Sequence, residues 1–174
     1  MALKPDTERE RRFLVDEPSF LEGASWSWIS QAYVFAEGGY AIRVRIEKSS
    51  DDSGASIATL TAKGPRVGTD RPEYNLDVSL QFAKNIIDRS DRVITKKRYS
   101  FPSGGQVWDV DVFEGDNAGL IIAELEGDNI EDVQPPWWAI REITGEPRFN
   151  NDELVKNPVS EWPDTAWKSR SVWD

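Results

Sequence analysis

The chain contains no cysteine and no histidine. Without thiols there is no disulfide framework, no thiolate nucleophile and no cysteine-based zinc site. Without imidazole the commonest general base is gone, and with it every Ser-His or Cys-His catalytic pair. No run of about 18 apolar residues occurs, and the N-terminal charges are not followed by an apolar stretch of signal-peptide type. A cytoplasmic protein with no membrane partner is therefore expected. Basic residues are in the minority, with 21 Lys plus Arg against 31 Asp plus Glu and a formal net charge of −10. A field of that sign repels nucleic acid, so no nucleic-acid partner is expected and any anionic ligand has to meet a local basic site. The chemistry left open runs on carboxylates, lysine, arginine, hydroxyls and hard metal ions.

What is present reads as one domain over residues 1–174, with a Trp-rich tail over 158–174. Eight strand-like segments are bounded by turn chemistry: Thr7–Val15, Trp28–Phe35, Tyr40–Glu47, Ser56–Lys63, Arg71–Val78, Arg92–Tyr99, Gln106–Phe113 and Gly119–Glu126. The short glycine-bearing gaps at Glu37–Gly39, Ser49–Gly54, Ser103–Gly105 and Gly115–Gly119 favour antiparallel hairpins. Helical spacing appears at Leu80, Ala83, Ile86 and Ile87. A second helix is expected within Pro18–Ser27, and a third over Asn151–Lys156 behind an asparagine cap signal. Trp162, Trp167 and Trp173 are expected to pack on the domain as covering residues.

The functional signal is a parity that recurs from strand to strand. In the opening TERERRF, an extended chain places Glu8, Glu10 and Arg12 on one face, with Phe13 and Val15 on the other. Arg43 and Arg45 oppose Ile42, Val44 and Ile46. Lys63 shares a face with Thr59 and Thr61, and Arg71 pairs with Glu73. Lys96 and Arg98 share a side, Asp109 and Asp111 oppose Trp108, Val110 and Val112, and Glu124 and Glu126 oppose Ile121, Ala123 and Leu125.

For any one strand, a half-buried sheet with its polar side in water explains this. Repetition of paired charges of both signs on matching faces points instead to a shared interior. Eight strands closed into a barrel would line a cavity sized for one small ligand, with the apolar sides outward under the segment near Leu80 and the Trp-rich tail. Cations in that cavity would grip a polyanion, and grouped carboxylates would hold Mg²⁺ or Mn²⁺. Together they describe a site for a metal-complexed polyphosphate, workable without histidine.

Glu8-x-Glu10-x-Arg12 resembles the ExExK signature that opens the CYTH domain of the triphosphate tunnel metalloenzymes. The likeness continues through IRVR at 42–45, LTAKG at 60–64, RPEY at 71–74, ITKKRY at 94–99, WDVDVFEG at 108–115, AGLIIAELE at 118–126 and REITGEPRFNN at 141–151. It spans about residues 7–157 in the family's order. The resemblance implies a mainly β (α+β) fold, an eight-stranded antiparallel closed barrel with flanking helices, and metal-dependent hydrolysis of a triphosphate. It implies phosphate contacts from Arg12, Arg43, Arg45, Lys63, Arg71, Lys96 and Arg98. Metal ligation is implied for Glu8, Glu10, Glu73, Asp111, Glu124 and Glu126, with Glu8, Glu10 and Arg12 catalytic.

Three positions depart from the family pattern: Arg12 stands in place of lysine, Asp109 in place of a usual glutamate, and Asn75 where an acid often follows Glu73. Arginine keeps the charge but brings a planar fork, which alters geometry. Inorganic tripolyphosphate is the substrate expected, since no segment outside the barrel looks built to hold a base. A class IV adenylate cyclase, a thiamine or nucleoside triphosphatase and a non-catalytic polyphosphate binder are the alternatives. Trp26, Trp28 or Tyr33 would be the base-stacking surface of a cyclase. A small-molecule triphosphate is the expected partner, with homodimerisation left open.

Overall fold

Alternating charged and apolar residues build nine strands in the computed structural model, which describes residues 6–51, 53–67, 70–163 and 167. They are β1 (Asp6–Val15), β2 (Trp26–Glu37), β3 (Tyr40–Ser49), β4 (Ser56–Lys63), β5 (Asp70–Asp77), β6 (Val93–Ser103), β7 (Gln106–Phe113), β8 (Ile121–Glu126) and β9 (Ala139–Glu142). Two α-helices accompany them, α1 (Leu80–Ile87) and α2 (Asn151–Lys156). The glycine pairs set the register of two hairpins. Gly38 and Gly39 have φ of +60° and +83°, and Gly104 and Gly105 have +60° and +78°, joining the paired residues Glu37 with Tyr40 and Ser103 with Gln106. Positive φ at both central residues is the mirror-image turn whose twist suits a two-residue hairpin.

All pairings between these strands are antiparallel, in the order β5-β4-β3-β2-β6-β7-β8-β1, and β1 pairs back onto β5 to close an eight-stranded barrel. β1 is the closing strand and changes partners along its length. Asp6–Arg9 face Glu73–Asp70 of β5, while Phe13–Val15 face β9, which lies outside the ring. On its other edge, Glu10–Leu14 pair with Glu126–Ile122 of β8.

The apolar faces point outward, as strand parity predicts. Phe13, Val15, Trp108, Val110, Ala123 and Leu125 are buried under Leu21, Ile130 and Trp138, and Val44 and Ala58 are buried under Ala83 of α1. Ser79 caps α1 by accepting from the Phe82 amide at 3.1 Å. The Trp-rich tail takes a different place from the one expected. Leu14, Ile94, Phe113 and Ile122 continue the inward faces beyond the charged residues, and Phe149, Leu154 and Trp167 pack onto them. Trp162 joins through an edge-to-face contact with Phe149 at 5.4 Å. This apolar plug seals part of one barrel end, while the outer wall is covered by the segment before β9. Trp173 lies outside the described residues.

Two further expectations change. The helix placed within Pro18–Ser27 is a single 3₁₀ turn, Ser19–Leu21, because Gly23 takes φ +78° and β2 begins at Trp26. Asn150 occupies the cap position of α2 without capping it, since its side chain is engaged by Arg12. Among the described residues no helix is long and apolar enough to cross a membrane.

Candidate active site

Inward parity brings the charged residues onto a cavity of about 130 Å³. Glu8, Glu10 and Arg12 of β1, Arg43 and Arg45 of β3, Lys63 of β4, Arg71 and Glu73 of β5, Arg98 of β6, and Glu124 and Glu126 of β8 all line it. The walls are unlike in sign. On β3, Arg43 donates to Thr61 Oγ1 at 3.1 Å, Thr61 passes the bond to Asn75 Oδ1 at 2.8 Å, and Arg45 donates to Gln31 Oε1 at 3.0 Å. Those partners are neutral. Among the described residues, no carboxylate stands within ion-pair distance of either arginine. Burial, with Arg43 and Arg98 adding repulsion, pushes the Arg45 guanidinium down from its ordinary value, and the attraction of Asp111 offsets this only in part. Arg43 Nε is buried with no hydrogen-bond partner.

The facing wall is acidic. Lys63 stands 2.6 Å from Glu8 Oε1 and 2.7 Å from Glu73 Oε2. Glu10 Oε1 accepts from Arg66 at 2.8 Å and lies 3.5 Å from Arg12 Nε. Burial pushes the Glu10 carboxyl up to about 7, with Glu124 and Glu8 adding repulsion. Glu126 is pushed up in the same way by burial and then by Glu8 and Glu73. Glu8 Oε2 is buried and has no hydrogen-bond partner.

Two predicted residues stand off the cavity wall. Lys96 and Asp111 are fully buried and ion-paired to each other. Both oxygens of Asp111 also accept from Arg98, from Nε and from Nη2, each at 2.7 Å. Burial opposes the charged carboxylate of Asp111, but Arg98 and Lys96 outweigh it and hold the group far below the carboxylate range. Burial lowers Lys96 to about 8 despite Asp111. In this arrangement both oxygens of Asp111 are engaged by protein cations. Arg98 also bonds Glu124 at 2.6 Å and Asp109 at 3.1 Å. It lines both the main cavity and a second one, of about 250 Å³, bounded by Glu47, Ser100 and Asp109. Arg71 sits at the rim with its guanidinium tied to the carbonyls of Gly64 and Gly39 at 2.7 and 3.0 Å.

The donor set fits a hard divalent cation. Glu8, Glu10, Glu124 and Glu126 are carboxylates gathered together, Glu10 and Glu126 are shifted upward by burial first and then by neighbouring acids, and Glu8 leaves one oxygen unsatisfied. No three acids among the described residues form a closed ligand set, so substrate oxygens would complete the shell. Glu73 is taken up by Lys63 and Asn75.

Residues that strand parity could not mark complete the cavity. Arg66 comes from the β4–β5 turn, and Asn150, Asn151 and Asp152 come from the start of α2. Arg12 donates Nη2 to Asn150 Oδ1 at 2.8 Å and Nη1 to the Phe149 carbonyl at 3.4 Å. The arginine in the signature thus ties β1 to the plug. Tyr33 lines the cavity as a neutral phenol, pushed up to about 12 by burial, whereas Trp26 and Trp28 face a separate surface groove.

No family model matches the chain. An inorganic triphosphatase of Acetivibrio thermocellus is 37% identical over 154 residues, covering 87% of this chain and 94% of that one. An inorganic triphosphatase of Nitrosomonas europaea is 30% identical over 86% of this chain and 97% of its own. The crystal structure of an inorganic triphosphatase superposes with a TM-score of 0.61 at 24% identity, over 89% of this chain and 95% of that one, a likeness of fold. With relatives matched along nearly their whole length and the signature acids gathered in one closed barrel, the chain belongs to the inorganic triphosphatase family of the CYTH superfamily of triphosphate tunnel metalloenzymes.

Proposed function

We propose that the protein hydrolyses inorganic tripolyphosphate to pyrophosphate and orthophosphate with Mg²⁺ or Mn²⁺. Carrying this reading are Arg43 and Arg45, two neighbouring arginines on the cavity wall whose hydrogen-bond partners Thr61 and Gln31 are neutral, facing carboxylates across a cavity of about 130 Å³. A polyanion is the ligand that relieves both arginines, and a bare phosphate chain needs no aromatic platform. Neither Trp26 nor Trp28 lines the main cavity, Trp26 bordering the second cavity instead, which supports a ligand without a base.

In this reading Arg43 and Arg45 bind phosphoryl oxygens, Lys63 adds a third cation, and the charge that builds on the leaving pyrophosphate meets donors already in place. Glu8 and Glu10 orient the attacking water by accepting its hydrogens. The water oxygen bonds to a terminal phosphorus and gives up a proton to one of these carboxylates, the bridging P–O bond breaks with its electron pair leaving on the departing pyrophosphate, and the attacked phosphorus is released as orthophosphate. A divalent cation held by Glu8, Glu10, Glu124 and Glu126 would neutralise phosphoryl charge and align the chain.

Incubation with tripolyphosphate, ATP and thiamine triphosphate in Mg²⁺ or Mn²⁺ tests the assignment through the products. Orthophosphate released far faster from tripolyphosphate than from ATP is expected; pyrophosphate with cyclic AMP would reassign the site as a cyclase. Glu10→Gln is expected to cut turnover roughly a hundredfold or more while changing triphosphate binding far less. Wild-type turnover in that variant would remove Glu10 from the site.

A further inference from the structure

The β4–β5 turn delivers a second cation beside Lys63. Arg66 follows Lys63 by three residues through Gly64 and Pro65, and its Nη2 stands 2.8 Å from Glu10 Oε1 and 3.9 Å from Glu8 Oε2. The backbone on either side of it is fixed. Gly64 N donates to Pro72 O at 3.0 Å, and Val67 and Asp70 bond each other's carbonyls at 2.8 and 3.1 Å. A Cβ at Gly64 would come within 2.7 Å of the Pro72 ring, so glycine is required for this close approach. Lys63 is held between two carboxylates in the wall, whereas Arg66 reaches in from a turn with its side chain 24% exposed.

We propose that Arg66 is a partner-exchanging substrate-binding residue. In the free protein it neutralises Glu10 and faces Glu8; when a divalent cation and tripolyphosphate enter, it yields those carboxylates to the cation and turns its fork onto a phosphoryl oxygen. This rests on the triphosphatase reading above. A guanidinium and a divalent cation compete for the same carboxylate lone pairs, and the guanidinium fork fits carboxylate and phosphate alike. Removing Arg66 therefore acts in opposite directions on the two ligands. Metal alone binds more tightly, because a competing cation is gone, and triphosphate binds more weakly, because a donor is gone. A residue that only held the turn in shape would weaken both.

The test compares wild type with Arg66→Gln and Arg66→Lys. Mn²⁺ alone is titrated calorimetrically, then KM and kcat for tripolyphosphate are measured at saturating Mg²⁺. Arg66→Gln is expected to bind Mn²⁺ roughly threefold more tightly, the scale of a solvent-screened ion pair. Its KM is expected to rise about tenfold, the scale of a lost charge-assisted hydrogen bond, with a smaller change in kcat. Arg66→Lys should fall between in both, and it decides the question by the same two readouts if Arg66→Gln does not fold. Unchanged or weaker Mn²⁺ binding, or an unchanged KM, overturns the exchange. Wild-type protein that leaves tripolyphosphate intact sinks the underlying reading, and the metal titration still judges the competition at Glu10.

Discussion

Arg45 and Lys96 are both inward-facing cations, yet only one of them faces the cavity. Lys96 is fully buried and neutralised by Asp111, whose other contacts belong to Arg98, whereas Arg45 leans on the neutral amide of Gln31. The difference separates a charge already ion-paired within the fold from one whose hydrogen-bond partner is neutral. Removing one member of a buried ion set leaves the others uncompensated, so Asp111→Asn is expected to destabilise the fold by about 3–5 kcal/mol in urea unfolding. A loss under about 1 kcal/mol would mean that the set is relieved by water. Strand parity named both residues because it reads the face of a strand. It carries no information on depth along the barrel axis, and depth is what puts Lys96 and Asp111 beside the apolar plug. Arg66 escaped because a turn residue has no parity, and its only sequence mark is its position three residues beyond Lys63.

At the scale of elements, β1 holds the site because it has three partners. Its outer residue Arg11 forks onto Glu142 of β9 at 2.9 and 3.0 Å, and Thr144 adds a hydroxyl to the same carboxylate at 2.8 Å. The Arg11 hydrogen bond, followed by that of Thr144, holds the Glu142 carboxyl below its ordinary 4.5 against the opposing effect of burial. A folded value below the unfolded one gives stability that is present above pH 4.5 and lost as pH falls through the folded value. Melting temperatures measured from pH 6 to 3 should therefore fall less steeply in Glu142→Gln than in wild type, with the wild-type advantage at pH 6 closing below about pH 4.5. Parallel profiles would show that the pair does not act in this range. β9 was invisible beforehand because four residues, only two of them apolar, make no readable alternation. The longer strands β3 and β7 repeat their pattern and were legible almost to the residue.

For the whole molecule, closure rests on the pairing of β1 with β5. Among the described residues it runs through four positions, against ten between β2 and β3, with Arg9 bonded through Nε and Nη2 to Asp70 at 2.8 and 2.9 Å. Amide exchange is expected to be faster in Arg71 and Glu73 than in Val44 and Ile46, and faster still in Arg9→Ala. Equal protection across the two pairings would make the barrel a single opening unit. The net charge of −10 and the uncompensated arginines of β3 act at different ranges. The field of the whole surface turns anions away at a distance, and under the proposed function the two arginines would act only at contact range.

Arg98, braced by three carboxylates, crosses the interior between the two cavities. One guanidinium is thus a shared wall of two separate spaces, so any change of side chain at Arg98 reshapes both together.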